Sequence, residues 1–215
     1  MLNSHTLPPL SGKPAHSAVI LLHGLGDSGA GLIGLGEYWR RDLPDTAFFA
    51  PDAPFDCDMA PYGRQWFSLQ NRAPAALLAG ARQAGPILND YIDPILEKLG
   101  LPPEKLALVG FSQGTMLSLY AAPRRALAVA GMVGYSGSMI GGEDLPTEAL
   151  SHPPVLLVHG TADSVVPFAA MGWAEQCLRA AKLPVSTLAC PGLEHTIDDA
   201  GLAAGLQFLR KVLAY

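Results

Sequence analysis

Short apolar runs that alternate with helical segments are the feature of this sequence that most constrains its fold. The six runs begin at Ser17, Thr46, Lys105, Val129, Pro154 and Val185. They are rich in valine, leucine and isoleucine and lack the strict alternation of a half-exposed strand, which is typical of strands that helices cover on both faces. The order strand, helix, strand, helix therefore predicts an α/β fold: one mostly parallel sheet with helices on both faces, in a single domain over residues 1–215.

Helical spacing of apolar residues predicts four helices, and one segment departs from the pattern. The predicted helices cover residues 80–100, 114–122, 167–183 and 196–215. In the first of them, Pro86 could lie near the start, whereas Pro94 would kink or split the helix. Residues 51–80 are rich in proline, have few periodic apolar residues and include the pair Trp66–Phe67. We predict a covering loop there, because long irregular segments in compact domains are usually functional.

The composition argues against several classes of protein. Charged residues make up 15% of the chain, the net charge is −5 and lysine and arginine do not cluster, so nucleic acid is not an expected partner. The sequence predicts no membrane span and no secretory signal. Three widely spaced cysteines, Cys57, Cys177 and Cys190, fit a reducing cytoplasm and lack metal-site spacing. The low charge predicts an apolar surface, either for a homodimer contact or for an apolar substrate channel.

The segment LVGFSQGTML, residues 108–117, places Ser112 between Gly110 and Gly114, after a predicted strand and before a predicted helix. A sharp strand-to-helix turn of the form G-x-S-x-G presents a nucleophilic serine at the carboxyl edge of a parallel sheet. The backbone of such a turn is strained and its neighbours approach closely, which explains glycine at both flanking positions. We therefore predict that Ser112 is a catalytic nucleophile; a plain glycine-rich turn is the alternative.

The proton acceptor and the acid that orients it are sought after the serine, because this architecture has the chain order nucleophile, acid, base. Asp163 follows a predicted strand in VLLVHGTADSVVP, and His195 lies between the last predicted strand and the last predicted helix. Ser112, Asp163 and His195 are therefore the predicted catalytic triad. Glu194 and Asp198 are the nearest alternative acids, but their position favours capping of the last helix.

The other histidines are weaker candidates for the base. His5, His16 and His152 lie at the wrong end of the predicted sheet. His23 and His159 end predicted strands near the site, but both precede the position at which the chain order requires the base. Packing and hydrogen bonding are the expected roles of these two side chains.

Acyl transfer also needs hydrogen-bond donors for a developing oxyanion, and two backbone amides are predicted to supply them. One is the amide of Gln113, directly after the nucleophile; the other is that of Leu25, in the glycine-rich loop LLHGLGDSG. The same loop contains G-x-G-x-x-G at Gly24, Gly26 and Gly29, so a nucleotide site is an alternative. That alternative is weak, because neither a ribose-binding acid after the second strand nor a phosphate-binding lysine is present.

Together these motifs resemble those of the phospholipase/carboxylesterase family of α/β-hydrolases, which includes bacterial carboxylesterases and acyl-protein thioesterases. LLHGLGDSG is similar to the family's oxyanion loop, GFSQG to its nucleophile elbow, HGTADSVVP to its acid loop and GLEHTI to its histidine loop. QWFS resembles a Trp-Phe-Asp segment beside the acyl site. Trp66 and Phe67, together with the run of alanine and leucine at 75–79, are therefore predicted to line an apolar acyl groove and bind substrate; packing of the loop onto the body is an equal alternative. Ser68 replaces the aspartate of that segment, and Thr115 stands where many members have glycine.

The resemblance implies an α/β-hydrolase fold and a serine hydrolase that cleaves carboxylic esters or thioesters through an acyl-enzyme. The expected substrates are small-molecule or lipid esters and thioesters, and no metal or cofactor is expected. Family members occur as monomers and as dimers. Two alternatives stay open: a non-catalytic ligand-binding protein on this fold, and a peptidase or amidase, since the same triad cleaves amides.

Overall fold

The structure is a computed structural model and describes residues 2–215. Its elements follow the alternation predicted from the apolar runs. The strands are β1 (Ser4–Leu7), β2 (Ser17–Leu22), β3 (Thr46–Pro51), β4 (Phe55–Asp56), β5 (Arg64–Gln65), β6 (Leu106–Phe111), β7 (Gly131–Tyr135), β8 (Val155–Gly160) and β9 (Val185–Cys190). The helices are α1 (Gly29–Leu32), α2 (Gly34–Trp39), α3 (Pro74–Leu99), α4 (Gln113–Ala121), α5 (Leu145–Glu148), α6 (Ala169–Ala180) and α7 (Asp199–Val212).

Seven strands form one sheet in the order β1-β3-β2-β6-β7-β8-β9. Every pair is parallel except β1 with β3, so the predicted mostly parallel sheet is confirmed. The register of β2 with β6 pairs Leu22 with Gly110. As a result, the loop after β2 and the turn after β6 leave the sheet side by side, at the edge where parallel α/β sheets bind ligands.

Helices cover both faces of the sheet, as predicted. Alternate residues of β2 point to opposite faces: Ile20 and Leu22 belong to one apolar core, and Val19 and Leu21 to the other. The first core packs against α3, α4 and α6, and the second contains residues of α1, α2 and α7. All four side chains are fully buried. This explains why the strands read as continuous apolar runs.

Helix α3 differs from the prediction at its start and in its interior. It begins at Pro74, so the run of alanine and leucine at 75–79 is helical and does not belong to the covering loop, whose predicted end at residue 80 is wrong. The physical reason is that proline suits a first helical turn and that alanine and leucine are strong helix formers. The helix also continues through Pro86 and Pro94 for 26 residues without being split. We call residues 52–73, which include the small β4–β5 ladder, the covering segment.

Helix α7 is capped by Asp198, as predicted, but not by Glu194, for which the prediction is wrong. The Asp198 side chain accepts a hydrogen bond from the amide of Gly201 at 2.8 Å, whereas Glu194 lies outside the cap. Asp199 lies in the first turn and Arg210 and Lys211 in the last, in the arrangement that the helix dipole favours. Among residues 2–215, no helix has the length and apolar character that crossing a membrane requires.

Candidate active site

Ser112 lies in a strained turn between β6 and α4. Its φ and ψ are 52° and −113°, and a positive φ is rare for a residue with a side chain. A Cβ at Gly114 would overlap the carbonyl oxygen of Leu22, and one at Gly110 would overlap the backbone of residues 114 and 115. The Ser112 amide donates to the carbonyl oxygen of Tyr135 at 2.9 Å, which fixes the turn to the neighbouring strand. The two glycines therefore allow the close approach of backbones that the sequence predicted.

Asp163 and His195 are hydrogen-bonded to each other. His195 Nδ1 lies 2.7 Å from Asp163 Oδ2, and because a carboxylate accepts, Nδ1 carries the proton. The other oxygen, Oδ1, accepts from the amides of Val165 at 2.9 Å and Val166 at 2.8 Å. Burial alone would raise the pKa of the Asp163 carboxyl, but the hydrogen bonds from His195 and from these amides outweigh it and lower that pKa. The acid is therefore ionised at neutral pH and leaves His195 Nε2 free to accept a proton.

Ser112 and His195 line the same cavity, of about 380 Å³, at the carboxyl edge of the sheet. The ring of Phe111 packs against His195, with 4.9 Å between ring centroids. Apolar side chains form much of the remaining wall, and of these the sequence indicates only Leu77, which belongs to the run of alanine and leucine at 75–79. They include Leu69, Leu77, Met116, Val165 and Val166. Spacing alone could not reveal the other four, because they come from the covering segment, α4 and the loop after β8.

The loop after β2, which carries one predicted oxyanion donor, lies close to the turn at Ser112, which precedes the other. A Cβ at Gly24 would lie 3.3 Å from the Ser112 Cβ, so the two backbones are in near contact. Leu25 lines the cavity, and Gln113 is the first residue of α4. Within residues 2–215, neither of these two amides donates a hydrogen bond to another group of the protein. Gln113 itself is 0% exposed and is not among the residues that line the cavity, so its role as an oxyanion donor stays a prediction.

His23 holds the loop after β2 through hydrogen bonds, which is the local role that the sequence predicts for it. Its Nδ1 lies 2.6 Å from the carbonyl oxygen of Gly24, and its Nε2 lies 3.0 Å from the amide of Ala53. A carbonyl only accepts and an amide only donates, so Nδ1 carries the proton and Nε2 does not. Burial lowers the pKa of His23, which favours this neutral tautomer. The ring does not line the cavity of Ser112, so it is not placed to act as the base.

Trp66 and Phe67 do not line the cavity, and the structure favours packing over the predicted contact with substrate. They are 0% and 2% exposed. Trp66 Nε1 donates to the carbonyl oxygen of His23 at 3.0 Å. The side chain of Gln113 accepts from the Trp66 amide at 3.0 Å and donates to the Phe67 carbonyl oxygen at 2.7 Å. The aromatic pair therefore anchors the covering segment beneath the site.

The described residues contain no group of three or more His, Cys, Asp or Glu side chains that could hold a metal ion. Cys57, Cys177 and Cys190 are buried and free. Besides its apolar walls, the cavity is lined by Ser112, by His195, which is paired with Asp163, and by Asp27 and Arg72.

Comparison with known proteins identifies the family. The family model described as phospholipase/carboxylesterase matches residues 10–213. This chain belongs to that family. Among its relatives, acyl-protein thioesterase 1 of Schizosaccharomyces pombe is 34% identical over 77% of this chain and 76% of that protein, and esterase YpfH of Escherichia coli is 26% identical over 98% and 89%. Among solved structures, esterase PE8 is 40% identical over 99% of both chains, with a TM-score of 0.94.

A second structural relative, SOBER1 of Arabidopsis thaliana, is 25% identical over 92% of this chain and 99% of that chain, with a TM-score of 0.76. The predicted family and the α/β-hydrolase fold are thus confirmed. As a member of this family, the chain functions as a hydrolase of carboxylic esters or thioesters.

Proposed function

We propose that Ser112, His195 and Asp163 form the catalytic triad of this hydrolase. The observation that carries the proposal is the pairing of His195 Nδ1 with Asp163 Oδ2 at 2.7 Å, in a histidine that shares its cavity with Ser112. This pairing fixes the imidazole tautomer in which Nε2 is unprotonated, the form that a general base requires. The positive φ of Ser112 supports the same assignment, because strain of this kind clusters at active sites.

The reaction follows from these roles. His195 Nε2 accepts the Ser112 proton while the serine oxygen bonds to the carbonyl carbon of the substrate, and the carbonyl oxygen becomes an oxyanion. The amides of Leu25 and Gln113 donate to that oxygen. When the intermediate collapses, the bond to the alcohol or thiol breaks and His195 returns the proton to the leaving group. Water then attacks the acyl-enzyme by the same route and releases the acid and free Ser112.

The cavity supports an acyl group of moderate length as the part of the substrate bound beside Ser112. Its walls are largely apolar, with Leu69, Met116 and Val166 among them. Leu77 also lines a second cavity of about 320 Å³, on the side of Ile140 and Trp173. An apolar wall favours an acyl chain because burial of each methylene group contributes about 0.8 kcal/mol. The substrate class is therefore a small-molecule or lipid ester or thioester.

The test is the hydrolysis of a short p-nitrophenyl ester by Ser112→Ala. If the triad acts as a unit, kcat falls by about 10⁶. Ser118→Ala is the matched control: this serine lies further along α4, outside the cavity, and its hydroxyl donates only to the Gly114 carbonyl. Its kcat should stay close to that of the unchanged protein. A Ser112→Ala protein that keeps more than a tenth of the activity would contradict the assignment.

Two further measurements separate the alternatives. A fluorophosphonate probe should label Ser112 in the unchanged protein and should fail to label His195→Ala; equal labelling of both proteins points to another base. Paired ester and anilide substrates with the same acyl group compare esterase with amidase activity. Faster turnover of the anilide would favour a peptidase or amidase.

A further inference from the structure

A second histidine, His159, lies against the carboxylate that orients His195. It is the fifth residue of β8 and is 2% exposed. Its Nε2 is 2.8 Å from the carbonyl oxygen of Val166 and 3.3 Å from Asp163 Oδ2, the oxygen that also accepts from His195. Its ring packs edge-on against Phe168, with 6.1 Å between the ring centroids. The mechanism described above gives no role to this side chain.

The contacts of His159 determine where its proton lies. The Val166 carbonyl oxygen can only accept, so Nε2 carries a hydrogen and donates it there. The positive end of the same N–H group therefore lies near the charged Oδ2 of Asp163. In this way, the Nε2–H group of His159 stabilises the carboxylate without taking the position of His195.

Val166 connects this contact to the other oxygen of the acid. Its amide donates to Asp163 Oδ1 at 2.8 Å, and its carbonyl oxygen accepts from His159. One residue thus holds the carboxylate on one side and is itself held by His159 on the other. Without the His159 N–H, the loop from Asp163 to Val166 would lose the side-chain hydrogen bond that fixes it to β8. Val165 and Val166 also line the cavity of Ser112.

We propose that His159 is a positioning residue for the triad: it fixes the loop that holds Asp163 and, through its Nε2–H, stabilises the Asp163 carboxylate. The inference rests on the proposed function, in which Asp163 orients His195. The titratable side chains within ion-pairing distance of Asp163, over residues 2–215, are His195 from the loop after β9 and His159 from β8. Both therefore influence the carboxylate directly.

The sign of the effect follows from this electrostatics. Removing the His159 N–H takes a hydrogen-bond donor away from Oδ2 and strengthens the interaction of this oxygen with His195. The acidic limb of the kcat/KM profile should then move to higher pH by about half a unit. Loss of the loop contact also misplaces the imidazole, which should lower kcat about tenfold while KM changes little.

The experiment compares pH profiles of kcat/KM on a short p-nitrophenyl ester for three variants. His159→Leu removes the donor at similar volume. His159→Gln keeps an N–H near the Nε2 position and should restore most of the rate and the original midpoint. Met171→Ala is the matched packing control, since Met171 is buried and lines the same small cavity as His159 without a polar contact to the acid. It should lower the melting temperature and leave the midpoint of the profile unchanged.

A folded His159→Leu protein whose profile superimposes on that of the unchanged protein would overturn the inference. A His159→Gln protein that behaves like His159→Leu would overturn it as well. If His159→Leu does not fold, a long-range ¹H–¹⁵N spectrum of the unchanged protein decides, with the His159 signals assigned from their absence in His159→Gln. Protonation at Nε2 supports the inference, and protonation at Nδ1 alone refutes it. If Ser112→Ala stays active, the proposed catalytic triad is wrong. The tautomer of His159 can still be determined from the ¹H–¹⁵N spectrum, so the two failures are distinguishable.

Discussion

The side-chain amide of Gln113 connects the turn at Ser112 to the covering segment, and replacing it tests how strongly the two depend on each other. Its Oε1 accepts from the Trp66 amide at 3.0 Å and its Nε2 donates to the Phe67 carbonyl oxygen at 2.7 Å. All three residues are at most 2% exposed. In Gln113→Leu, a side chain of similar size replaces both polar groups, so one buried N–H and one buried C=O lose their partners.

The number of buried backbone groups that lose a partner sets the expected loss of unfolding free energy. A buried backbone group left without a partner costs about 1–3 kcal/mol, so two such groups cost about 2–6 kcal/mol. Trp66 keeps its second anchor, the hydrogen bond from Nε1 to the His23 carbonyl oxygen at 3.0 Å. That anchor limits how far the segment can move toward water, so we expect a loss in the lower half of this range. Such a loss is a large fraction of a typical unfolding free energy of about 5–15 kcal/mol.

The assay is urea unfolding followed by tryptophan fluorescence, together with hydrogen exchange at the Trp66 amide. Gln113→Glu is the informative comparison, since its carboxylate can still accept from the Trp66 amide but cannot donate to the Phe67 carbonyl oxygen. At acidic pH the protonated carboxyl group can donate again, so its deficit relative to the unchanged protein should shrink as the pH falls. The reasoning is refuted if Gln113→Leu unfolds within about 0.5 kcal/mol of the unchanged protein and its Trp66 amide exchanges no faster.

Three other changes test the packing and the charges of the site. Trp66→Ala should lower the unfolding free energy by about 3–5 kcal/mol, because the ring is fully buried. The ratio of the rates on short-chain and long-chain esters should stay unchanged. A changed ratio without loss of stability would instead support a role of Trp66 in substrate binding. Leu77→Ala should raise rates on long acyl esters relative to short ones, since Leu77 lines both cavities, and an unaltered chain-length series would contradict this. Because the pKa of Asp163 is lowered in the folded protein, its ionised carboxylate stabilises the fold at pH values above the ordinary aspartate pKa. This contribution is lost as the pH falls below about 4. Asp163→Asn should therefore flatten the acid side of a plot of unfolding free energy against pH, and a curve of unchanged slope would refute the role of this carboxylate.

The sequence predicts those parts of the fold that are written as local patterns. The apolar runs mark six of the seven sheet strands, because most of these strands are buried on both faces and need no partner to be recognised. β1 escapes this reasoning: Ser4–Leu7 is short and half exposed, and it is defined only by antiparallel pairing with β3. The glycines around Ser112, and the positions of Asp163 and His195 after predicted strands, are also visible in the sequence. These features therefore identify residues that the structure brings to one edge of the sheet.

The parts that escape prediction depend on which way a side chain points after folding. The sequence does not indicate whether the side chains of Trp66 and Phe67 face a cavity or the core. Only the contacts with Gln113 and His23 show that they lie in the core. The role of His159 depends on a loop turning back so that Val166 meets it seven residues later. The spacing of apolar residues along the sequence does not indicate such contacts.

These contacts also explain how the two proposed oxyanion donors, the amides of Leu25 and Gln113, would be held in place before a substrate arrives. Gly114 packs against the Leu22 carbonyl, the His23 ring holds the Gly24 carbonyl, and the His23 carbonyl in turn accepts from Trp66. The loop after β2, the turn before α4 and the covering segment are therefore joined as one packed unit. Amides that are fixed in this way need little reorganisation as charge develops on a bound carbonyl oxygen, and this is the physical basis of oxyanion stabilisation. A substitution in the covering segment should therefore alter kcat through these amides even where it touches no substrate.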